Sequence, residues 1–201
     1  MSYLEKLLEG AEIKWKALGE IGEVRMCKRI LKEQTSDCGE IPFYKIGTFG
    51  KEPNAYISRE LFNEYKTNYH YPKIGEVLIS ASGTIGRAVI FDGKDAYFQD
   101  SNIVWIENDE SQIFNKYLFY FYQIAKWDIA EGGTIQRLYN DNLKKTKIPI
   151  PPIAVQAEIV RILDTFTELT AELTAELTAR EKQYEYYRNL LLTFPKNNIE
   201  S

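Results

Sequence analysis

Basic, amide and hydroxyl side chains recur beside glycines and aromatic residues through the first 140 residues of the chain. Such groups carry several hydrogen-bond donors and acceptors, and on loops held by a rigid scaffold they can contact phosphates and the edges of DNA bases. For any single residue, a solvated surface position is the simpler interpretation, but as a set they predict a face that contacts double-stranded DNA. The candidates are Lys28, Arg29, Lys32, Lys51, Asn54, Arg59, Lys66, Asn68, Tyr69, His70, Ser80, Ser82, Thr84, Arg87, Gln136 and Arg137.

Some of these candidates also have a purely structural interpretation. Tyr69 and His70 can pack beneath the Tyr71-Pro72 pair that follows them. The glycine-containing segment 80–86 can cradle a phosphate, but it lacks the Gly-Lys-Ser/Thr of a P-loop, so a plain turn between strands is the alternative. Gln136 can tie its loop to the following helix by hydrogen bonds without touching DNA.

Residue patterns for catalysis are weak. Cys27 and Cys38 lie eleven positions apart and His70 is the single histidine, so a four-ligand zinc site is excluded and two free thiols are expected. The Pro-Pro pair is followed by Ile153 rather than the tyrosine or phenylalanine of amino-methyltransferase motifs, and no Gly-x-Ser-x-Gly occurs. Three Asp/Glu-x-Lys patterns fit a metal-dependent nuclease only formally. We therefore predict no catalytic residues, no metal and no cofactor.

Charge and hydropathy limit the class of protein further. The 201-residue chain has a net charge of −4, and residues 1–151 carry 20 basic and 21 acidic side chains. Because DNA affinity depends on phosphate neutralisation, a nearly neutral domain needs a basic face and help from a second copy or a partner. No run of 18 apolar residues exists and the N-terminus carries acids, so we expect no membrane span, no signal peptide and a cytoplasmic location.

Residues 1–151 predict a mixed α/β domain. Apolar patterning and turn residues indicate a helix over 2–9, strands near 13–16, 22–26, 41–46, 76–80, 87–91, 97–98 and 103–106, a helix over 115–129 and a short helix near 140–141. The stretches 27–41 and 48–60 are predicted to be loops, Asp92-Gly93 a hairpin turn, Gly132-Gly133 a helix stop and 147–152 extended.

A different pattern begins after Pro152, which fits the first position of a helix. Residues 153–193 contain no glycine or proline, and their apolar residues alternate at spacings of four and three. About 40 residues form a helix of roughly 60 Å, which must project from a domain whose radius of gyration is roughly 15 Å. The expected fold is therefore α+β, with one long projecting helix that forms a coiled-coil dimer. The predicted dimer contacts, the first of which can also pack on their own domain, are Val155, Ile159, Ile162, Phe166, Leu169, Leu173, Leu177, Tyr184, Tyr187 and Leu191.

The sequence Glu-Leu-Thr-Ala occurs three times in succession over residues 168–179 of this helix. One interpretation is a helix-favouring spacer of low complexity. The other is a ruler, because each unit adds roughly 6 Å of helix, a little under two base-pair steps of about 3.4 Å.

Two adjoining stretches, 132–146 and 147–160, resemble the specificity subunits of Type I restriction–modification systems. The shared pattern is Gly-x-Thr-x-Gln, Asp-x-Leu-Lys, Ile-Pro-Ile-Pro-Pro and then Gln156 ahead of Ile159. The segment 78–86, the start at Trp15 and the repeat are also similar to the family. The resemblance implies a DNA-recognition domain over 1–151, a long helix for dimerisation and methyltransferase docking over 152–194, and a tail over 195–201.

Full-length members of that family hold two recognition domains and two long helices, whereas this chain has one of each. The resemblance therefore implies a half-length form whose two copies recognise a bipartite palindrome. Its implied partners are DNA, a second copy, methyltransferase subunits and, indirectly, the restriction subunit, with no membrane and no catalysis of its own. The alternatives are a silent truncated copy, a coiled-coil scaffold that binds protein, or an antirestriction decoy on the same fold.

Overall fold

The computed structural model describes residues 3–129 and 136–194, and only the backbone of residues 3–5. The chain forms two compact units, Met1–Val160 and Arg161–Ser201. Its helices are α1 (Tyr3–Leu8), α2 (Arg59–Asn68), α3 (Asn115–Tyr122), α4 (Asn140–Lys145) and α5 (Ile153–Leu192). Its strands are β1 (Lys14–Ala17), β2 (Val24–Arg25), β3 (Ile41–Tyr44), β4 (Tyr56–Ile57), β5 (Val77–Ser80), β6 (Ala88–Ile90), β7 (Tyr97–Phe98), β8 (Ile103–Ile106) and β9 (Lys147–Ile150).

A four-stranded antiparallel sheet in the order β2-β8-β5-β6 lies at the centre of the first unit. All four residues of β5 and of β8 are buried, which explains why both strands are continuous apolar runs rather than alternating ones. Successive side chains point to opposite faces of a sheet. Accordingly, Leu78 and Trp105 belong to one hydrophobic core, and Ile79 and Val104 belong to the other.

Different elements cover the two faces of this central sheet. On one face, the first core also contains Phe62 of α2 and residues of a three-stranded sheet in the order β4-β3-β7, in which β3 and β7 run parallel. On the other face, the second core contains Leu118 of α3, Leu143 of α4 and Ile148 of β9. The first unit therefore has three layers with a core on each side of the central sheet.

The beginning of the long helix is joined to the second core. Strand β9 pairs antiparallel with β1, and α5 follows after Pro151 and Pro152. Ile159 and Val160 pack against the second core. This agrees with the expectation that the first apolar positions of the helix pack on their own domain.

The predicted fold class is confirmed, but the structure corrects several local predictions. Helix α2 and strand β4 lie in or beside the predicted turn-rich stretch 48–60, and neither was predicted. Helix α3 ends at Tyr122 instead of continuing to 129, and the predicted stop at Gly132-Gly133 lies outside the described residues. Strand β7 pairs with β3 and not with β6, so Asp92-Gly93 does not form a two-stranded hairpin.

The long helix of 40 residues was predicted to within one residue at its C-terminal end. In the second unit, the threonines at 165, 167, 170, 174 and 178 each donate a hydroxyl hydrogen bond to the carbonyl four residues earlier in the same helix. Among the described residues, no helix is long and apolar enough to cross a membrane.

Candidate nucleic-acid interface

One carboxylate, that of Asp95, binds two of the predicted DNA-contacting cations. Arg59 and Lys66, together with Asn68, lie on helix α2 and not on a loop as the sequence suggested. Arg59 donates to Asp95 Oδ2, and Lys66 Nζ lies 3.4 Å from Asp95 Oδ1. The hydrogen bond from Arg59 holds the pKa of Asp95 below its ordinary value. Because both cations already share the Asp95 carboxylate, they are weaker candidates for phosphate contact than cations without a carboxylate partner.

Lys28, Tyr69 and His70 form an exposed cluster with Asn68 around an open cleft of about 480 Å³. Lys28 Nζ lies over the Tyr69 ring at 5.0 Å from its centroid, within the range of a cation–π interaction. Tyr69 is 44% exposed. The alternative that Tyr69 and His70 are packed beneath Tyr71-Pro72 is therefore wrong.

The glycine-containing segment 80–86 is a closed turn. Ser80 Oγ accepts from the Arg87 amide and donates to the Thr84 carbonyl, and the Gly86 amide donates to the Ser80 carbonyl. A Cβ at Gly86 would lie 2.2 Å from Trp127 Nε1, and Gly86 has a φ of +82°. The Gly86 and Arg87 amides are thus bonded to Ser80, and Gly86 lies against an indole, which favours a turn over a phosphate cradle.

Two candidates on this side of the domain are tied into the framework. Arg87 donates to the carbonyl of Phe49, and the buried Ser82 donates to Asn102 Oδ1 at 2.9 Å. Ser82 also forms a β-bridge with Arg137. Segments that are distant in sequence, 80–87, 101–102 and 137–139, therefore meet at one place.

Arg137 lies at this meeting point. Its Nη2 donates to the Ser101 carbonyl at 3.1 Å, and its guanidinium lies 5.9 Å from the centroid of the Tyr139 ring. Arg137, Tyr139 and Ser101 line a second open cleft of about 290 Å³. Met26 lines this cleft and the cleft beside Tyr69 as well, so the two clefts adjoin. We call the surface formed by Lys28, Tyr69, His70, Ser101, Arg137 and Tyr139 the Met26 face.

The remaining candidates are exposed, but the structure does not assemble them into one site. Lys28 shares the loop between β2 and β3 with Arg29 and Lys32, whereas Lys51 and Asn54 lie between β3 and β4. Exposed residues in this group are Arg29, Lys32, Lys51, Asn54, Thr84 and Gln136. Most of the Gly-x-Thr-x-Gln motif lies outside the described residues.

Sequence reasoning missed Ser101, Asn102 and Tyr139. Ser101 has a φ of +48°, which is uncommon for a residue with a side chain. Asn102 and Tyr139 lie directly before predicted elements, where the local pattern marks them only weakly. A polar residue directly before strand β8 and an aromatic one directly before helix α4 were the available signals.

Gln156 has the positioning role that the sequence offered to Gln136. It is fully buried, its Oε1 accepts from the Phe114 amide at 3.0 Å, and its Nε2 donates to the carbonyls of Gln112 and Pro151. The bonds with Phe114 and Gln112 join the first turn of α5 to the residues just before α3, and the bond to Pro151 fixes the segment that enters α5. Gln136, in contrast, is exposed.

Most of the predicted dimer contacts are exposed. Val155, Ile159 and Ile162 are half-buried. The exposed positions farther along the helix are Phe166, Leu169, Leu173, Leu177, Tyr184, Tyr187 and Leu191. A row of exposed apolar side chains on a helix is typical of a surface that is covered by a partner.

The thiol and metal chemistry is limited. Cys27 and Cys38 are both free, and burial raises the pKa of the Cys27 thiol to about 12. Within residues 3–129 and 136–194, no group of three histidine, cysteine or acidic side chains is placed to hold a metal ion.

Residues 11–180 match the family model for the type I restriction modification DNA specificity domain. The chain belongs to this family. It is 66% identical over 197 residues to a putative type I restriction enzyme specificity subunit from Haemophilus influenzae, a match that covers 96% of this chain and 51% of that protein. It is 36% identical to the EcoR124I/EcoR124II specificity subunit of Escherichia coli, over 100% of this chain and 49% of that protein.

The fold is also that of type I specificity subunits. The crystal structure of a type I restriction–modification S subunit from M. genitalium matches with a TM-score of 0.61 at 17% identity, over 90% of this chain and 46% of that one. A chain from a structural study of type I complex assembly matches with a TM-score of 0.66, also at 17% identity, over 90% of this chain and 44% of that one. The chain spans about half the length of the curated relatives it matches. The resemblance drawn from the sequence is therefore confirmed.

Proposed function

We propose that this chain recognises a DNA sequence on behalf of a type I restriction–modification complex, and that methylation and cleavage are performed by partner subunits. The observation that carries the proposal is the 66% identity, across 96% of the chain, to a protein named as a specificity subunit. The exposed Lys28 and the half-buried Arg137 of the Met26 face supply donors of the kind that DNA recognition requires. This role would place the chain in the compartment of the chromosome, in agreement with the cytoplasmic location expected from the sequence.

We further propose that two copies associate through helix α5. The exposed stripe from Phe166 to Leu191 needs a partner, and a two-fold pair of helices would bury both stripes at once. Since the relatives are about twice as long, two copies would supply two recognition domains. Identical domains related by a two-fold axis recognise identical half-sites, so the expected target is a palindrome in two parts. Methyltransferase subunits, and through them a restriction subunit, would be the protein partners.

The Glu-Leu-Thr-Ala repeat would set the distance between the half-sites. Each unit lies in regular helix, and its leucine is exposed on the proposed interface. Removing one unit of four residues shortens the helix by roughly 6 Å.

The direct test is to co-express the chain with its methyltransferase subunit in a host without DNA methylation and to map modified adenines by single-molecule sequencing. We expect a palindromic, two-part motif with a fixed spacer. Deletion of residues 172–175 should shorten that spacer, and Glu172→Ala, which keeps the helix length and Leu173, should leave it unchanged. No methylation in the presence of an assembled complex would refute the specificity role and favour a decoy.

A second measurement separates DNA recognition from protein scaffolding. DNA affinity of the complex should fall steeply as salt concentration rises, because binding releases counterions from the phosphates. Affinity for a protein partner alone, without salt-dependent DNA binding, would support the scaffold hypothesis instead.

A further inference from the structure

The basic side chains of the first unit differ in whether they are already bound to an acidic side chain or a backbone carbonyl. Arg25 binds Glu107 at 2.8 Å, Lys144 binds Glu23 at 2.7 Å, and Arg59 binds Asp95. Arg87 donates to the backbone carbonyl of Phe49, 38 residues away in the sequence. Lys28 is exposed beside the Tyr69 ring, and Arg137 is held in place without any carboxylate partner among the described residues.

Arg137 is fixed at both its backbone and its side chain. Its backbone is bridged to Ser82 at the end of β5, and the next amide, of Leu138, donates to the Ala81 carbonyl at 2.8 Å. Its side chain is held by the Ser101 carbonyl and lies near the Tyr139 ring. A recognition side chain that is already oriented loses less conformational entropy when it binds.

The carbonyl that holds the guanidinium belongs to a residue with an unfavourable backbone conformation. Ser101 has a φ of +48°, and left-handed conformations at residues with side chains concentrate at functional sites. The neighbouring Asn102 is fixed by its hydrogen bond with the buried Ser82. The framework therefore maintains the strained residue that positions Arg137.

The surroundings of Arg137 favour a base edge over a phosphate as its ligand. Arg137 Nη2 donates one hydrogen bond to the Ser101 carbonyl, and the other donors of the guanidinium have no partner among the described residues. Asp141 lines the same cleft, and its negative charge disfavours a charged phosphate there more than a neutral base. Guanine presents two adjacent acceptors, O6 and N7, in the major groove, and the planar fork of an arginine fits them.

We propose that Arg137 recognises a guanine in each half-site of the DNA target. This inference rests on the proposed DNA-recognition function. It predicts that the identity of one base pair per half-site depends on the guanidinium fork and not simply on positive charge.

The test compares the methylation motif of the wild-type complex with that of Arg137→Lys, which keeps the charge and loses the fork. The preference for guanine over other bases at one position of each half-site should decrease by a factor of about 5 to 150. The base preferences at the other positions should not change. The salt dependence of binding should stay the same. Arg25→Lys is the matched control, because Arg25 is paired with Glu107 at 2.8 Å and is not a predicted DNA contact, and its motif should equal that of the wild type.

Tyr139→Ala provides a second variant that does not depend on Arg137 itself. Tyr139 is 55% exposed, so its removal should leave the fold intact while loosening the guanidinium. We expect a smaller loss of discrimination at the same guanine. An unchanged motif in both variants, or a loss spread equally over all positions, would overturn the role of Arg137. A wild-type complex that methylates no motif would instead overturn the proposed function.

Discussion

The two units of the chain use similar apolar side chains in opposite ways. Leu78 in β5 is fully buried, whereas Leu173 in α5 is 66% exposed. In residues 6–129 and 136–160, most of the large apolar side chains pack into two cores, and in residues 161–194 most of them face solvent. Residue type therefore does not decide burial here. The first unit has cores of its own, and the apolar stripe of the second predicts a partner.

The largest expected effect on stability comes from comparing one phenylalanine in each unit. Phe62 is 1% exposed and packs edge-on against Tyr71, so Phe62→Ala should lower the free energy of unfolding by about 3–5 kcal/mol. Phe166 is 63% exposed, and Phe166→Ala should change the free energy of unfolding of the domain by less than about 0.5 kcal/mol. Denaturant unfolding followed by tryptophan fluorescence measures both. Equal losses in the two variants would show that the helix face is not free in the single chain.

A leucine on the exposed stripe should affect association and not folding. Leu173→Ala removes about 1.5 kcal/mol of hydrophobic stabilisation from each of two helices, or about 3 kcal/mol per dimer. The dissociation constant of the dimer should therefore rise roughly 150-fold. Glu172→Ala, one residue away, should leave this constant almost unchanged. Sedimentation equilibrium measures it. Equal dissociation constants for the wild-type and Leu173→Ala dimers would exclude this face from the interface.

A buried side chain at the start of α5, within the first unit, gives an intermediate effect. Gln156→Ala leaves the amide of Phe114 and the carbonyls of Gln112 and Pro151 without their partner, and should lower the free energy of unfolding by about 2–3 kcal/mol. The exposed Gln183, on the same helix, provides the control, and Gln183→Ala should cost almost nothing. Thermal unfolding of the two variants would decide the point. A Gln156→Ala protein as stable as Gln183→Ala would mean that the buried amide is not needed.

The smallest expected effect concerns a surface pair of the first unit. The hydrogen bond from Arg25 holds the pKa of Glu107 below its ordinary value. A lowered folded pKa stabilises the protein above the unfolded pKa of about 4.3, and this contribution disappears as the pH falls through the folded pKa. Because the Glu107 side chain is 39% exposed, Glu107→Gln should cost less than about 1 kcal/mol at neutral pH. Stability curves of both proteins should converge under acidic conditions; a constant difference at all pH values would contradict this origin.

How well an element could be predicted depended on how local its cause is. Helix α5 followed from 40 residues without glycine or proline, a signal contained in the segment itself. Helix α2 was missed because it begins just after a run of turn residues, although Ser58 caps it by accepting from the Leu61 amide. The parallel pairing of β3 with β7 joins segments more than 50 residues apart, and no pattern within either strand encodes it.

The same distinction applies to the candidate interface. Residue type alone identified Lys28, Tyr69 and Arg137, which the structure places on one face. It also selected Arg59 and Lys66, because their pairing with Asp95, 36 and 29 residues away in the sequence, could not be predicted from residue type. Whether a cation is free depends on contacts made by the folded chain, and these were not available from spacing.

The threonines of the Glu-Leu-Thr-Ala repeat bond within their own helix, at positions 170, 174 and 178. Each threonine therefore bonds to the preceding turn of the same helix, which a unit added or removed in register still supplies, so such a change leaves these hydrogen bonds in place. A lineage could vary the length of this helix by duplicating a twelve-nucleotide segment while the residues of the Met26 face stay the same. Helix length and base preference would then be inherited as separable traits, each open to selection on its own.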